Sequence, residues 1–85
     1  MSVTKSRSDE ILMEQLNKYY SLITDTWKYI KCFTENLPHT ETEWMNAIDA
    51  GNRLIEKHGD TEFARQIVMA AIEEVDRIAK FRRIL

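Results

Sequence analysis

Cys32 is the one thiol in the 85 residues, so an internal disulfide is excluded and any chemistry here would be that of a free thiolate. Lys31 beside it could lower its pKa, but a nucleophile also needs a base and an orienting group. Neither His39 nor His58 is at a spacing that supplies one. The expectation is an inert helix thiol. His39 follows Pro38, with Glu35, Glu41 and Glu43 close in sequence. A histidine among carboxylates can bind a divalent metal. No Cys–Cys, His–His or Glu-x-x-His pair at ligand spacing supports that, so a solvated loop is favoured. His58 falls in the last turn of a helical segment, where an imidazole suits the negative helix end. Capping or packing is therefore expected for it, and no cofactor is expected for the chain.

Glu73 and Asp76 form a Glu-x-x-Asp spacing that resembles half of the metal motif in the all-α nucleotide pyrophosphatases. The other half, Glu-x-x-Glu, is absent. An all-α metal-dependent nucleotide hydrolase thus remains the weakest of three functional readings, and the chain is expected not to be an enzyme. Glu74 lies at the edge of an apolar stripe and wants a cationic partner; Arg53, Arg82 or a residue of a second chain are the candidates, against a side chain leaning into solvent.

Arg77, Lys80, Arg82 and Arg83, with Phe81, form a small basic tail. Four cations could neutralise a few phosphates, and a dimer would double the patch. A dimeric nucleic-acid-binding regulator is therefore the alternative reading. Against it, cations also match the negative end of a helix, and the would-be recognition helix begins with Asp60 and Glu62. Twelve basic and 14 acidic residues give a net charge of −2, too even to mark a nucleic-acid or membrane-surface binder.

Three helical segments must position these residues. Two Gly and one Pro argue against many short strands. Residues 1–8 are polar and read as a flexible N-terminus; residues 9–85 read as one helical domain, with helices at about 9–37, 41–58 and 61–84. Ser8 can cap the first. Its apolar stripe is Leu12, Leu16, Tyr19, Ile23, Ile30, Phe33 and Leu37, with Thr26 in the polar slot. Met13, Tyr20 and Trp27 line one flank, Ile11, Leu22 and Tyr29 the other, so the apolar arc is about 200° wide. Glu14–Lys18 and Lys31–Glu35 are spaced as ion pairs. Pro38 breaks the helix, and Thr40 to Glu43 fits a capping box. The second stripe is Trp44, Ala47, Ile48, Gly51, Leu54, Ile55 and His58. Gly51 at its centre implies close approach of another helix, since Gly costs about 1 kcal/mol there relative to Ala. Gly59 suits the left-handed position after a helix, and Asp60 or Thr61 caps the third. The third stripe runs through Phe63, Ala64, Ile67, Val68, Ala71, Ile72, Val75, Ile78, Ala79 and Phe81.

The lengths do not match. At 1.5 Å per residue the helices measure about 42, 26 and 36 Å. Short connections make them antiparallel neighbours, so the second ends near the level of Tyr20 and residues 11–19 have no companion. Ile11, Leu12, Met13, Leu16 and Tyr19 would stay wet, at about 1.5–3 kcal/mol per large side chain. Either the helix stays straight and two chains pair, or it breaks at Thr24-Asp25-Thr26 and folds back. The stripe keeps phase through Thr26, which favours the straight helix. The expected fold is thus all-α: a three-helix bundle with a long first helix, assembled as a helical homodimer. The expected function is that of a non-catalytic protein–protein interaction module, an adaptor or regulator. Its contact residues are Ile11, Leu12, Met13, Leu16, Tyr19, Tyr20, Trp27 and Phe81, and its partner is a second copy, another protein, or both. No apolar run approaches a membrane span, no membrane partner is expected, and a single cysteine suits the cytoplasm.

Overall fold

The computed structural model describes the backbone of residues 7–84 and the side chains of residues 10–82. Among the described residues there are three packed helices and no strand: α1 (Arg7–Glu35), α2 (Glu41–Lys57) and α3 (Glu62–Ile84). The flexible N-terminus expected over residues 1–8 lies outside the described residues, apart from the backbone of Arg7 and Ser8. Those two are helical. Ser8 is therefore inside α1 and is not its cap; nothing in Arg7-Ser8-Asp9 opposes helical dihedrals.

The connections follow from local chemistry. α1 stops at Glu35, two residues before Leu37. The Asn36 N–H closes on the Cys32 carbonyl at 3.1 Å and its side-chain Nδ2 donates to the same oxygen at 3.3 Å. Pro38 holds Leu37 away from helical dihedrals. Thr40 then adopts extended backbone, and its Oγ1 accepts from the Glu43 N–H at 3.1 Å, which is the N-cap half of the expected box. α2 ends in a Schellman motif. The Asp60 N–H donates to the Ile55 carbonyl at 2.9 Å and the Gly59 N–H to that of Glu56 at 3.1 Å. Gly59 sits at φ +83 and Asp60 at φ +52, the second being a residue type that tolerates the left-handed region. Thr61, not Asp60, caps α3, its Oγ1 accepting from the Ala64 N–H at 3.1 Å.

α3 is the hub. Val68 and Val75 are fully buried, with Ala64, Ala71, Ile72 and Ala79 beside them. Small side chains on α3 meet Ala47, Gly51 and Ile55 of α2 on one side and Leu22, Thr26 and Tyr29 of α1 on the other. A Cβ at Gly51 would lie 2.6 Å from Ile72 Cδ1, so α2 and α3 approach as closely as only glycine allows. Thr26 is buried because its hydroxyl donates to the Leu22 carbonyl, one turn back, at 2.7 Å. Tyr29 donates to the Ala47 carbonyl at 2.8 Å, which ties α1 to α2. Burial pushes its phenol up to about 12.

α1 runs unbroken through Thr24-Asp25-Thr26, so no fold-back occurs. The face it buries differs from the expected one. Leu22, Thr26 and Tyr29 are buried, with Ile30, Phe33 and Leu37 half-buried, whereas Ile23 is 54% exposed. At 100° per residue the buried line is turned by about 60°. An apolar arc of about 200° can present more than one line, and the α2 contact through Tyr29 selects this one. Ile48, Phe63 and Phe81, expected within stripes, are exposed as well. Tyr19 meets the Phe63 ring edge-on at 5.1 Å, which marks where the bundle begins along α1. Every described residue before it is exposed. The radius of gyration is 17.0 Å, against about 12 Å for a compact domain of this length.

Gly51→Ala sets a helix-propensity gain of about 1 kcal/mol against an overpacking cost of about 1–3 kcal/mol. Net destabilisation of about 1 kcal/mol is expected. Ile72→Val removes Cδ1, so in that background Gly51→Ala should become neutral or stabilising. Denaturant unfolding of the four proteins at one concentration measures the coupling, and an equal cost in both backgrounds would refute the close-approach explanation.

Candidate interaction surface

The contact residues named from sequence are all exposed. They are Ile11, Leu12, Met13, Leu16, Tyr19, Tyr20 and Trp27 on α1 and Phe81 on α3, with exposures running from 42% for Tyr19 to 74% for Tyr20. They do not form one patch. Leu12, Met13, Leu16, Tyr20 and Trp27 share an arc of about 100° on α1, and Ile23 falls in its middle. Ile11 lies off this arc. It continues the buried line of Leu22 and Tyr29 downward, past the end of the other helices.

The arc flanks α3. Tyr19 touches Phe63, while Gly51 of α2 meets Val68 and Ile72 on the opposite side of α3. At 100° per residue Phe63, Ala70 and Phe81 lie on the α1 side of α3, turned away from α2. All three are exposed. One side of the α1–α3 pair is thus filled by α2, and the other is open, apolar along α1 and carrying the Glu74–Arg77 pair among Phe63, Ala70 and Phe81 on α3. Ile23 and Phe63 belong to it, although periodicity alone sets both on the apolar stripes of their helices. The signal that places them outside is tertiary, namely which side α2 takes.

A polar cluster laces the covered side. Asp25 Oδ2 accepts from Lys57 Nζ at 2.8 Å and lies 2.9 Å from His58 Nε2. The Lys57 and His58 hydrogen bonds hold the Asp25 carboxyl below its ordinary value, with burial acting the other way. His58 therefore does more than the expected capping. Its backbone N–H bonds the Leu54 and Ile55 carbonyls at 3.2 Å, while its ring, 10% exposed, reaches across to α1. A groove of about 430 Å³ opens below, lined by Lys18, Tyr19, Leu22, His58, Thr61 and Phe63.

The residues singled out for chemistry do not converge. Cys32 is exposed beside Lys28, Tyr29 and Arg53, in a shallow groove that neither histidine lines. His39 is exposed in the α1–α2 connection. Among the described residues no three of His, Cys, Asp and Glu are grouped to hold a metal. Asp76 engages Lys80 at 2.8 Å and Glu73 faces solvent. The partner of Glu74 is Arg77, not Arg53 or Arg82, because three residues on one helix bring the two side chains together. The pair lowers the Glu74 carboxyl and raises the Arg77 guanidinium. Arg53 instead pairs with Asp49 at 3.0 Å. The basic tail accordingly has Arg77 and Lys80 matched by carboxylates of their own helix. Arg82 is exposed, and the Arg83 side chain lies outside the described residues. No described helix is long and apolar enough to cross a membrane.

No protein-family model matches the chain, and no curated protein or solved structure matches it.

The Asp25 cluster makes a pH prediction. A folded-state pKa below the unfolded one contributes stability that is present above about pH 4 and is lost as pH falls through the lowered value. Asp25→Asn should cost about 1–2 kcal/mol at neutral pH, toward the low end for a hydrogen bond to a charged group because Lys57 is largely exposed. That gap should narrow as pH drops from about 4 toward 2. Unfolding of both proteins across that range tests it; a gap independent of pH would mean the carboxylate charge is not what binds α1 to α2.

Proposed function

We propose that this chain is a small non-catalytic helical interaction module, an adaptor or regulator, that works by self-association. The working face is Leu12, Met13, Leu16, Tyr20, Ile23 and Trp27, with Ile11, Tyr19 and Phe81 at its margins. The observation that carries the reading is the straight α1, whose apolar arc continues past the end of the bundle and stays exposed along its length. Each of these side chains forgoes about 1.5–3 kcal/mol of burial, and a contiguous patch of this size marks a protein-contact surface. Tyr, Trp and Met are the types enriched where proteins meet. The same face could take a different protein chain in exchange for the second copy.

The molecular mass in solution at micromolar concentration should be that of a dimer. Leu16→Glu places a charge at the middle of the arc and should weaken association at least about a hundredfold while helicity is retained. A wild-type mass equal to one chain at that concentration refutes self-association.

A further inference from the structure

We propose that the second copy packs antiparallel, α1 against α1, so that each uncovered N-terminal stretch lies against α1 and α3 of its partner as the fourth helix of that bundle. This rests on the self-association reading above and adds the direction and register of the pair.

The spacing of the arc is the first argument. Leu12, Leu16, Tyr20, Ile23 and Trp27 follow steps of four, four, three and four residues, which read nearly the same in either direction. A two-fold axis between Tyr19 and Tyr20 sets Leu12 opposite the partner's Trp27 and Leu16 opposite the partner's Ile23. Tyr20 then meets the partner's Tyr19. Four of the five knobs thereby meet knobs of the partner, and the fifth, Tyr20, falls one residue off the partner's own Tyr20, beside its Tyr19.

Length is the second. The bundle begins at Tyr19, where α3 starts against α1. Residues 10–18 extend about 13 Å below that point. Reversed about the axis, they cover residues 21–29 of the partner, the stretch beside which the open α1–α3 face carries Ile23, Trp27 and Ala70. An uncovered rod and an uncovered groove of equal length satisfy each other. A parallel pair joins the two rods to one another and provides no third helix for either.

Charge is the third. Glu10 and Lys28 are eighteen residues apart, which is five full turns, so they share one line, about 60° beyond the Met13 side of the apolar arc. In an antiparallel two-fold pair like edges meet, and Glu10 comes level with the partner's Lys28, once on each side of the axis. In a parallel pair the same two groups stay about 27 Å apart along the helix. Among the described residues the ion pairs expected within α1, Glu14–Lys18 and Lys31–Glu35, do not close, and neither Glu10 nor Lys28 is paired with another described side chain.

Area agrees with a second copy as occupant. With side chains of about 200 Å² each, the exposed fractions of the six residues on the α1 arc amount to on the order of 700 Å² per chain. A standard two-chain interface takes about 800 Å² from each partner.

Directed disulfides test the register. In a Cys32→Ser background, Leu12→Cys and Trp27→Cys are prepared as separate proteins, as are Leu16→Cys and Ile23→Cys, and oxidised in a glutathione buffer singly and mixed. The expected result is a disulfide dimer in each mixture, holding one chain of each kind, with little from any protein alone. Leu12→Cys cross-linking to itself, with no mixed-chain disulfide in the mixture, indicates a parallel pair and overturns the proposal. A dimeric mass with no cross-link from either mixture also overturns it, since another face is then in use. In both cases self-association stands. A monomeric mass for the Cys32→Ser parent overturns both readings together.

Discussion

A helix can bury only the length along which another helix runs. In this chain that length is set by α2, seventeen residues held at both ends by firm stops. Thr40 caps it at the top, behind a buried Pro38. The two-bond Schellman closure over Gly59 ends it at the bottom. α3 has to start where α2 finishes, beside Tyr19. α1 is twelve residues longer than α2, and the excess lies below the bundle. The exposed apolar residues before Tyr19 are therefore a consequence of two turns and a length, and no adjustment of side chains within the bundle could cover them.

The side on which α2 sits is decided by the α2–α3 contact. Gly51 leaves the space that the Ile72 and Val68 side chains fill, and a single added carbon there would collide with the end of Ile72. Apolar packing dominates that interface. The contact between α1 and α2 is of another kind: one phenol on a carbonyl, and one carboxylate shared by a lysine and a histidine. Such bonds add little net free energy each but are directional, so they fix the rotation of α1 about its axis. Once that rotation is fixed, Leu22 and Tyr29 point inward, while Ile23 and Trp27 point out along α3. The open face is the geometric complement of the polar lacing.

Much of the backbone could be read in the residues. Thr40, Gly59 and Thr61 act where their side chains or their freedom at positive φ predict, and Gly51 marks a close approach as its position in an apolar stripe implies. Periodicity found α1 but not its inward line. With apolar residues over more than half the circumference, the 3.6-residue repeat has no unique phase. The buried line also includes Thr26, a polar residue that satisfies itself on its own backbone. The exposed candidates before Tyr19 were legible because they depend on length alone, whereas Ile23 and Phe63 depend on rotation and were not. Asp25 looked like a weak point in a helix. Its meeting with Lys57 and His58, more than thirty positions away, is invisible to local spacing. For Glu74 the stripe position suggests Arg53, Arg82 or a second chain, and the nearer Arg77 takes it.

The core also bears on what the open face is for. Among the described residues only Val68 and Val75 are large side chains withdrawn completely from water, and the other buried positions on α3 are mostly alanine. Small residues allow close helices but contribute little apolar area each, and a chain of this length buries a modest share of its surface in any case. Its aromatic residues are divided between the two sides, Tyr29 and Phe33 inward, Tyr20 and Trp27 outward. The bulkiest apolar groups on the surface thus remain available after the chain has folded. If they are covered by association, the free energy of that step adds to a thin core, and folding and assembly become linked equilibria that rise and fall with protein concentration. A chain built this way would be stable mainly where its copies or its partners are present.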